Sequence, residues 1–136
     1  MTTPDLKRIL LIEDDEDIQT ITKLALETIG GFKVEVCSSG REGIETALGF
    51  APDLILLDVM MPEMDGPATL QAMKAHPKLA SMPVVFLTAK AQLQEVMQFK
   101  GAGAVDVITK PFDPVALPDA VRAIWDRYQQ GLAEHK

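Results

Sequence analysis

The sequence predicts a doubly wound α/β domain, in which a five-stranded parallel sheet lies between two layers of helices. The chain has 136 residues, the usual size of one domain. Five short apolar runs alternate along it with five segments whose apolar residues recur at helical spacing. The runs are apolar almost throughout rather than at every second residue, which is typical of parallel strands buried on both faces.

The first strand and helix are predicted within residues 6–31. A continuous apolar run indicates a strand over 6–12, and acidic residues follow it at once. A helix is predicted over about 16–29, and Gly30-Gly31 would end it. Its predicted buried stripe consists of Ile18, Ile21, Ala25 and Ile29.

The same alternation continues to the end of the chain. Further strands are predicted at 32–36, 54–57, 83–87 and 104–108, with helices at 41–50, 67–75 and 91–100. A short turn at Asp113-Pro114 should precede the last helix, because Pro118 would clash inside a helix that began there. That helix is predicted from about 118 to 130. We therefore expect tails at 1–5 and 131–136 around one domain at 6–130.

Charge and hydropathy restrict the kind of function. The chain carries a formal net charge of -7, which disfavours unaided binding to nucleic acid. It has neither an apolar run long enough to cross a bilayer nor a basic amino end followed by an apolar stretch. We therefore expect a cytoplasmic protein with no membrane partner.

Cysteine and histidine offer little chemistry. Cys37 is the single cysteine, so an internal disulfide is impossible and a free, inert thiol is expected. His76 and His135 each lack a second histidine or a cysteine at metal-ligand spacing, and we interpret both as surface residues.

Polar residues follow four of the predicted strands. The first strand is followed by Glu13-Asp14-Asp15, the third by Asp58, the fourth by Thr88-Ala89 and the fifth by Thr109-Lys110-Pro111. Ligand sites of open α/β sheets lie beyond the carboxyl ends of the strands. Carboxylates, a hydroxyl and an ammonium should therefore converge on one edge. Taken singly, each has an ordinary reading as a solvated loop residue, a helix cap, an ST-turn or a surface lysine.

Four runs at these strand ends together resemble the response-regulator receiver domains of two-component signalling: ILLIEDDEDI, DLILLDVMMPEMDG, PVVFLTAK and GAVDVITKPF. The resemblance extends from about residue 6 to residue 128. It implies the flavodoxin-like strand order 2-1-3-4-5. It also implies a phosphorelay signalling domain that assists its own phosphorylation and dephosphorylation, rather than an enzyme acting on a separate substrate.

The resemblance also assigns roles to residues. Asp58 corresponds to the phosphoacceptor. A magnesium ion would be held by Asp14, Asp58 and the backbone carbonyl of Met60, with Glu13 acting through a water. The switch residues implied are Thr88, Lys110 and, through its backbone amide, Ala89.

Three neighbouring features are expected to be structural. Asp15 should begin the first helix, where the helix dipole favours a carboxylate. The Lys110-Pro111 bond is cis in this family and would aim the lysine inward. Asp65-Gly66 should supply a helix cap and a permissive backbone position.

The resemblance implies a sensor histidine kinase or a histidine phosphotransfer protein as phosphodonor, and a protein target bound through the fourth helix, fifth strand and fifth helix. Only GLAEHK follows Gln130, so we expect either a stand-alone receiver or a receiver taken from a longer protein. Two alternatives are a degenerate receiver that acts as an adaptor and a phosphatase of the haloacid dehalogenase type. The complete residue set disfavours the first, and Met60, where those phosphatases have a second aspartate, disfavours the second.

The sequence departs from the family at its switch. Val107 occupies the place where many receivers have an aromatic side chain on the fifth strand, and a β-branched residue has little rotamer freedom. The alternative is that Val107 is simply core, with signalling by charge alone. We expect phosphorylation to shift the fourth helix, through Leu93, Val96 and Met97, and a face it shares with the last helix, with Trp125 at its edge.

Overall fold

The computed structural model describes residues 4–134 and shows a parallel sheet in the order β2-β1-β3-β4-β5. This confirms the predicted fold class and strand order. The strands are β1 (Arg8–Ile12), β2 (Lys33–Cys37), β3 (Leu54–Asp58), β4 (Val84–Thr88) and β5 (Asp106–Thr109). The helices are α1 (Glu16–Leu24), α2 (Gly40–Phe50), α3 (Gly66–Lys74), α4 (Leu93–Gly101) and α5 (Leu117–Glu134). No helix within residues 4–134 is long and apolar enough to span a bilayer.

The sheet buries two cores because successive side chains of a strand point to opposite faces. Ile9 and Leu11 of β1 share a core with α5 and with Leu26, which follows α1, whereas Leu10 and Ile12 share a core with α2 and α3. Strands β3 and β4 alternate in the same way. Because both faces are covered, the central strands read as continuous apolar runs.

The buried face of the first helix differs from the prediction. A π-helical turn, Ala25–Ile29, continues α1, and Ile21 and Ile29 are 49% and 52% exposed. Ala25 is buried as predicted, and the other buried residues are Thr22 and Leu26. A π turn carries one extra residue and so rotates the positions it reaches by about 100°, which accounts for Ile29 but not for Ile21, which precedes the turn. The chain then turns at Gly31, where φ is +73°.

Trp125 does not lie at the edge of a face shared with α4, as the sequence suggested. It is buried beside α1 and β2, and its Nε1 donates to the carbonyl oxygen of Pro4 at 2.8 Å. Helix α5 also continues four residues past the predicted end at 130, so most of the expected tail is helical. Residues 1–3 of the other expected tail lie outside the described residues, as does His135.

Cys37 is buried and free. Desolvation raises the pKa of its thiol from 9.0 to about 11, outweighing a hydrogen bond with Thr46. The reactive thiolate is therefore scarce at neutral pH, consistent with an inert core residue.

Candidate functional site

The polar residues at the ends of β1, β3, β4 and β5 meet at one edge of the sheet. Glu13, Asp58 and Thr88 are buried there, whereas Asp14 is exposed. Backbone hydrogen bonds between neighbouring strands continue just beyond the strand ends. Val59 N donates to the Leu87 carbonyl at 3.1 Å, and Lys110 N donates to the Thr88 carbonyl at 2.8 Å. The four strand ends are thus held in fixed register beneath the site.

Lys110 joins the two buried carboxylates. Its Nζ donates to Glu13 Oε1 at 2.5 Å and to Asp58 Oδ1 at 2.9 Å, although these partners are 97 and 52 residues away in sequence. The three side chains are at most 16% exposed. Two close carboxylates repel each other in such a place, so the ammonium between them makes the arrangement stable.

The pKa values of Glu13 and Lys110 are both raised above their usual values. Burial raises the pKa of Glu13 from 4.5 to about 7, although hydrogen bonds from Lys110 and from the Asp15 amide oppose the rise. Burial also acts to lower the pKa of Lys110, but the hydrogen bonds and charges of Glu13 and Asp58 outweigh it and raise that pKa. The lysine therefore stays protonated and supplies a fixed positive charge at the site.

The donor set fits a magnesium ion. Carboxylate oxygens of Glu13, Asp14 and Asp58 lie within 4.8 Å of one another. Glu13 is already engaged, because Oε1 accepts from Lys110 and Oε2 from the Asp15 amide. The exposed Asp14 leaves one side open to water, and magnesium prefers hard oxygen ligands while keeping several waters.

The end of β4 carries a hydroxyl held by its own turn. Thr88 Oγ1 accepts a hydrogen bond from the Lys90 amide at 3.0 Å, the ST-turn that a strand-end threonine commonly makes. Ala89 is exposed, and Ala89 and Lys110 line the same surface depression. Thr88 thus lies at the edge that carries the acidic cluster.

The two helix caps and the cis peptide bond expected from the sequence are present in the structure. Asp15 caps α1 by accepting from the Asp17 and Ile18 amides, as predicted for a helix-start residue. Asp65 caps α3 through the Ala68 amide, and the Lys110-Pro111 bond is cis. Val107 lies away from this edge, partly buried beneath α4.

Two further residues support the site, of which the sequence pointed to one, and for a different reason. The Gln19 amide donates to the Glu13 carbonyl oxygen at 2.5 Å and to Ser38 Oγ at 3.1 Å, joining α1 to the end of β1. A lone glutamine on a helix carries no pattern that would single it out. The other residue is Gly66, whose expected value was a permissive backbone. It is required for close approach instead, because a β-carbon there would lie 2.6 Å from the Asp58 carbonyl oxygen.

Known proteins share both the sequence and the geometry. Residues 9–122 match the family described as response regulator receiver domain. The chain is 38% identical to the DNA-binding dual master transcriptional regulator RpaA of Synechocystis, over 90% of this chain and 50% of that protein. It is 37% identical to the transcriptional regulatory protein CseB of Streptomyces coelicolor, over 91% of this chain and 51% of that protein.

Solved structures agree with these matches. The chemotaxis protein CheY4 of Vibrio cholerae superposes with a TM-score of 0.81 at 26% identity, covering 88% of this chain and 99% of that one. A receiver domain of a histidine kinase from Syntrophus aciditrophicus superposes with a TM-score of 0.76 at 36% identity, covering 88% and 90%. The chain spans about half the length of the curated regulators it matches.

Proposed function

The chain belongs to the response regulator receiver domain family of two-component systems, and on that premise we propose that Asp58 accepts a phosphoryl group from a phosphohistidine partner. One observation carries the proposal. A buried ammonium joins the Asp58 carboxylate to Glu13, with the exposed Asp14 completing an acidic cluster. A carboxylate held beside a fixed cation suits attack on an anionic phosphoryl group.

The attacking atom is the carboxylate oxygen of Asp58 that does not accept a hydrogen bond from Lys110. Lys110 hydrogen-bonds Oδ1, so Oδ2 attacks phosphorus. An O–P bond forms, the P–N bond to the donor imidazole breaks, and the imidazole leaves with that electron pair and takes a proton from water. The product is an acyl phosphate on Asp58.

Each neighbouring group stabilises the negative charge on the transferred phosphoryl group. Lys110 neutralises one phosphoryl oxygen, while the Thr88 hydroxyl and the Ala89 amide donate hydrogen bonds to others. Asp14, Asp58 and the Met60 carbonyl would hold magnesium directly and Glu13 through a water, and the ion would neutralise further phosphoryl charge. The protein thereby assists its own modification and remains a signalling domain.

An apolar rim beside the site supports a protein phosphodonor. A depression of about 480 Å³ opens next to Lys110, and its lining is mostly apolar: Ile18, Ile21, Ala89, Pro111, Phe112 and Pro114. Ile21 is half exposed there. Apolar surface at the mouth of a charged site suits the docking of a sensor kinase or a histidine phosphotransfer protein.

The output is proposed to pass through protein contacts. Asp106 of β5 pairs with Lys100 of α4 at 3.8 Å and with Arg127 of α5 at 2.9 Å, so one carboxylate ties the three elements together. Leu93 and Met97 are exposed on α4. The net charge of -7 argues against direct contact with nucleic acid, so we propose a protein target for this face.

Removal of Asp14 should weaken magnesium binding by more than about tenfold, because one of very few protein ligands is lost. A metal titration of Asp14→Ala against the wild type measures this. Asp15→Asn is the matched control, since it removes a neighbouring negative charge and keeps a good helix cap. Equal affinities for Asp14→Ala and the wild type would place the metal elsewhere.

Self-dephosphorylation should be slow. Met60 and Lys90 occupy the positions that flank the attacking water in this family, and neither side chain can accept a proton from water or orient it as a carboxylate would. A Met60→Asn, Lys90→Glu variant should lose its phosphoryl group at least about tenfold faster. Decay of the radiolabelled phosphoprotein provides the comparison, and faster decay in the wild type would refute the expectation.

A further inference from the structure

Helix α4 packs against the central strand β4 through one aromatic contact. No residue of α4, which the structure describes in full, is buried, and Leu93 and Met97 are 76% and 65% exposed. Phe99 is the aromatic residue that faces inward. Its ring meets Phe86 of β4 edge to face, with centroids 5.0 Å apart and an interplanar angle of 72°. A helix held this way can change position at low cost.

Phe86 also lies close to Gly66, in the segment that follows Asp58. A β-carbon at Gly66 would lie 3.2 Å from Phe86 Cε1, 2.8 Å from Val59 Cα and 2.6 Å from the Asp58 carbonyl oxygen. Gly66 therefore lies against both the Asp58–Val59 backbone and the fully buried Phe86 ring. Movement of this backbone must be accommodated by the ring, because packed interiors have few voids.

Val107 lies beside this contact on the next strand. It pairs in register with Phe86 and packs against the same core. A valine cannot swing a ring between core and surface, whereas the Phe86 ring already joins the acceptor loop to α4. The described contacts thus offer a route on β4 in place of an aromatic switch on β5.

We propose that the Phe86–Phe99 pair positions α4 according to the state of Asp58. The inference rests on the proposed function, since it requires a phosphoryl group on Asp58. When that group draws the Asp58–Val59 backbone and the β4 end toward it, Phe86 shifts against Gly66, and Phe99 carries the shift to α4. Phe86 and Phe99 are positioning residues and touch no phosphoryl oxygen.

The test uses beryllofluoride with magnesium as a phosphoryl mimic, and it measures amide hydrogen exchange in α4 together with the affinity for the mimic. The wild type should bind the mimic and change its α4 exchange. Phe99→Leu should still bind the mimic, but its α4 response should fall by between about twofold and tenfold, the range that an aromatic pair contributes. Phe99→Tyr should restore the response. Gln98→Ala, an exposed change on the same helix, should leave it intact.

The outcomes distinguish a failure of the proposed phosphorylation from a failure of the Phe86–Phe99 route. If the wild type binds no mimic, the proposed function fails and the inference falls with it. If the mimic binds and Phe99→Leu keeps the full α4 response, or Gln98→Ala loses as much, the aromatic route is wrong while the proposed function stands. An α4 that does not respond in the wild type also overturns the route. Thermal unfolding of each variant shows whether a lost response reflects a lost fold.

Discussion

Asp58→Ala is expected to abolish phosphorylation by a small phosphodonor such as acetyl phosphate in the presence of magnesium. The substitution removes the carboxylate that Lys110 holds at 2.9 Å, and no alanine atom can attack phosphorus. The fold should survive, because Lys110 keeps its hydrogen bond to Glu13 and only one of two mutually repelling carboxylates is lost. Intact-protein mass spectrometry after a timed reaction measures the incorporation.

Asp126→Ala is the appropriate control for this experiment. Asp126 is exposed on α5 and lines a cleft with Pro4 and Gly30, away from the acidic cluster. That variant should gain one phosphoryl group as the wild type does. If Asp58→Ala is modified as readily as Asp126→Ala, Asp58 is not the acceptor.

Lys110→Met should impair both phosphorylation and stability. Glu13 and Asp58 would face each other in a buried place with no cation between them, and breaking a buried pair in this way costs about 3 kcal/mol. We expect the free energy of unfolding, measured in urea, to fall by about that amount. The phosphorylation rate should also fall by about 100-fold or more, since a fixed charge on the transferred group is lost.

Lys23→Met makes the matched comparison, because Lys23 is an exposed lysine near the end of α1. The same change of charge there should alter stability by less than about 0.5 kcal/mol. A Lys110→Met protein that unfolds at the wild-type urea concentration and reacts at the wild-type rate would show that the ammonium has neither role.

Much of this fold could be predicted because its strands are buried on both faces. Such strands appear as continuous apolar runs, and each predicted strand is found within about two residues of its expected ends. The exposure of Ile29 could not be predicted, since one extra residue in the π turn after α1 rotates it into solvent. Periodicity assumes a regular helix and cannot reveal where that regularity breaks.

The sequence was enough to predict which strand ends would meet at the site. Parallel strands place their carboxyl ends at one edge, so the acidic residues after β1 and β3 and the lysine after β5 had to lie near one another. The pairing of Lys110 with Glu13 was not predictable. Glu13 lies 97 residues away in sequence, yet it accepts the shorter of the two hydrogen bonds that the Lys110 ammonium donates. Trp125 is a similar case, because its indole N–H donates to Pro4, 121 residues away in sequence.

The most direct test of the phosphoacceptor function is to locate the phosphoryl group chemically. The wild-type protein would be treated with acetyl phosphate and magnesium, reduced with borohydride so that an acyl phosphate becomes an alcohol, digested and mapped by tandem mass spectrometry. We predict a reduced residue at Asp58 that is absent without the phosphodonor. Reduction at Asp14 or Asp15 instead, or at no residue, would contradict the account.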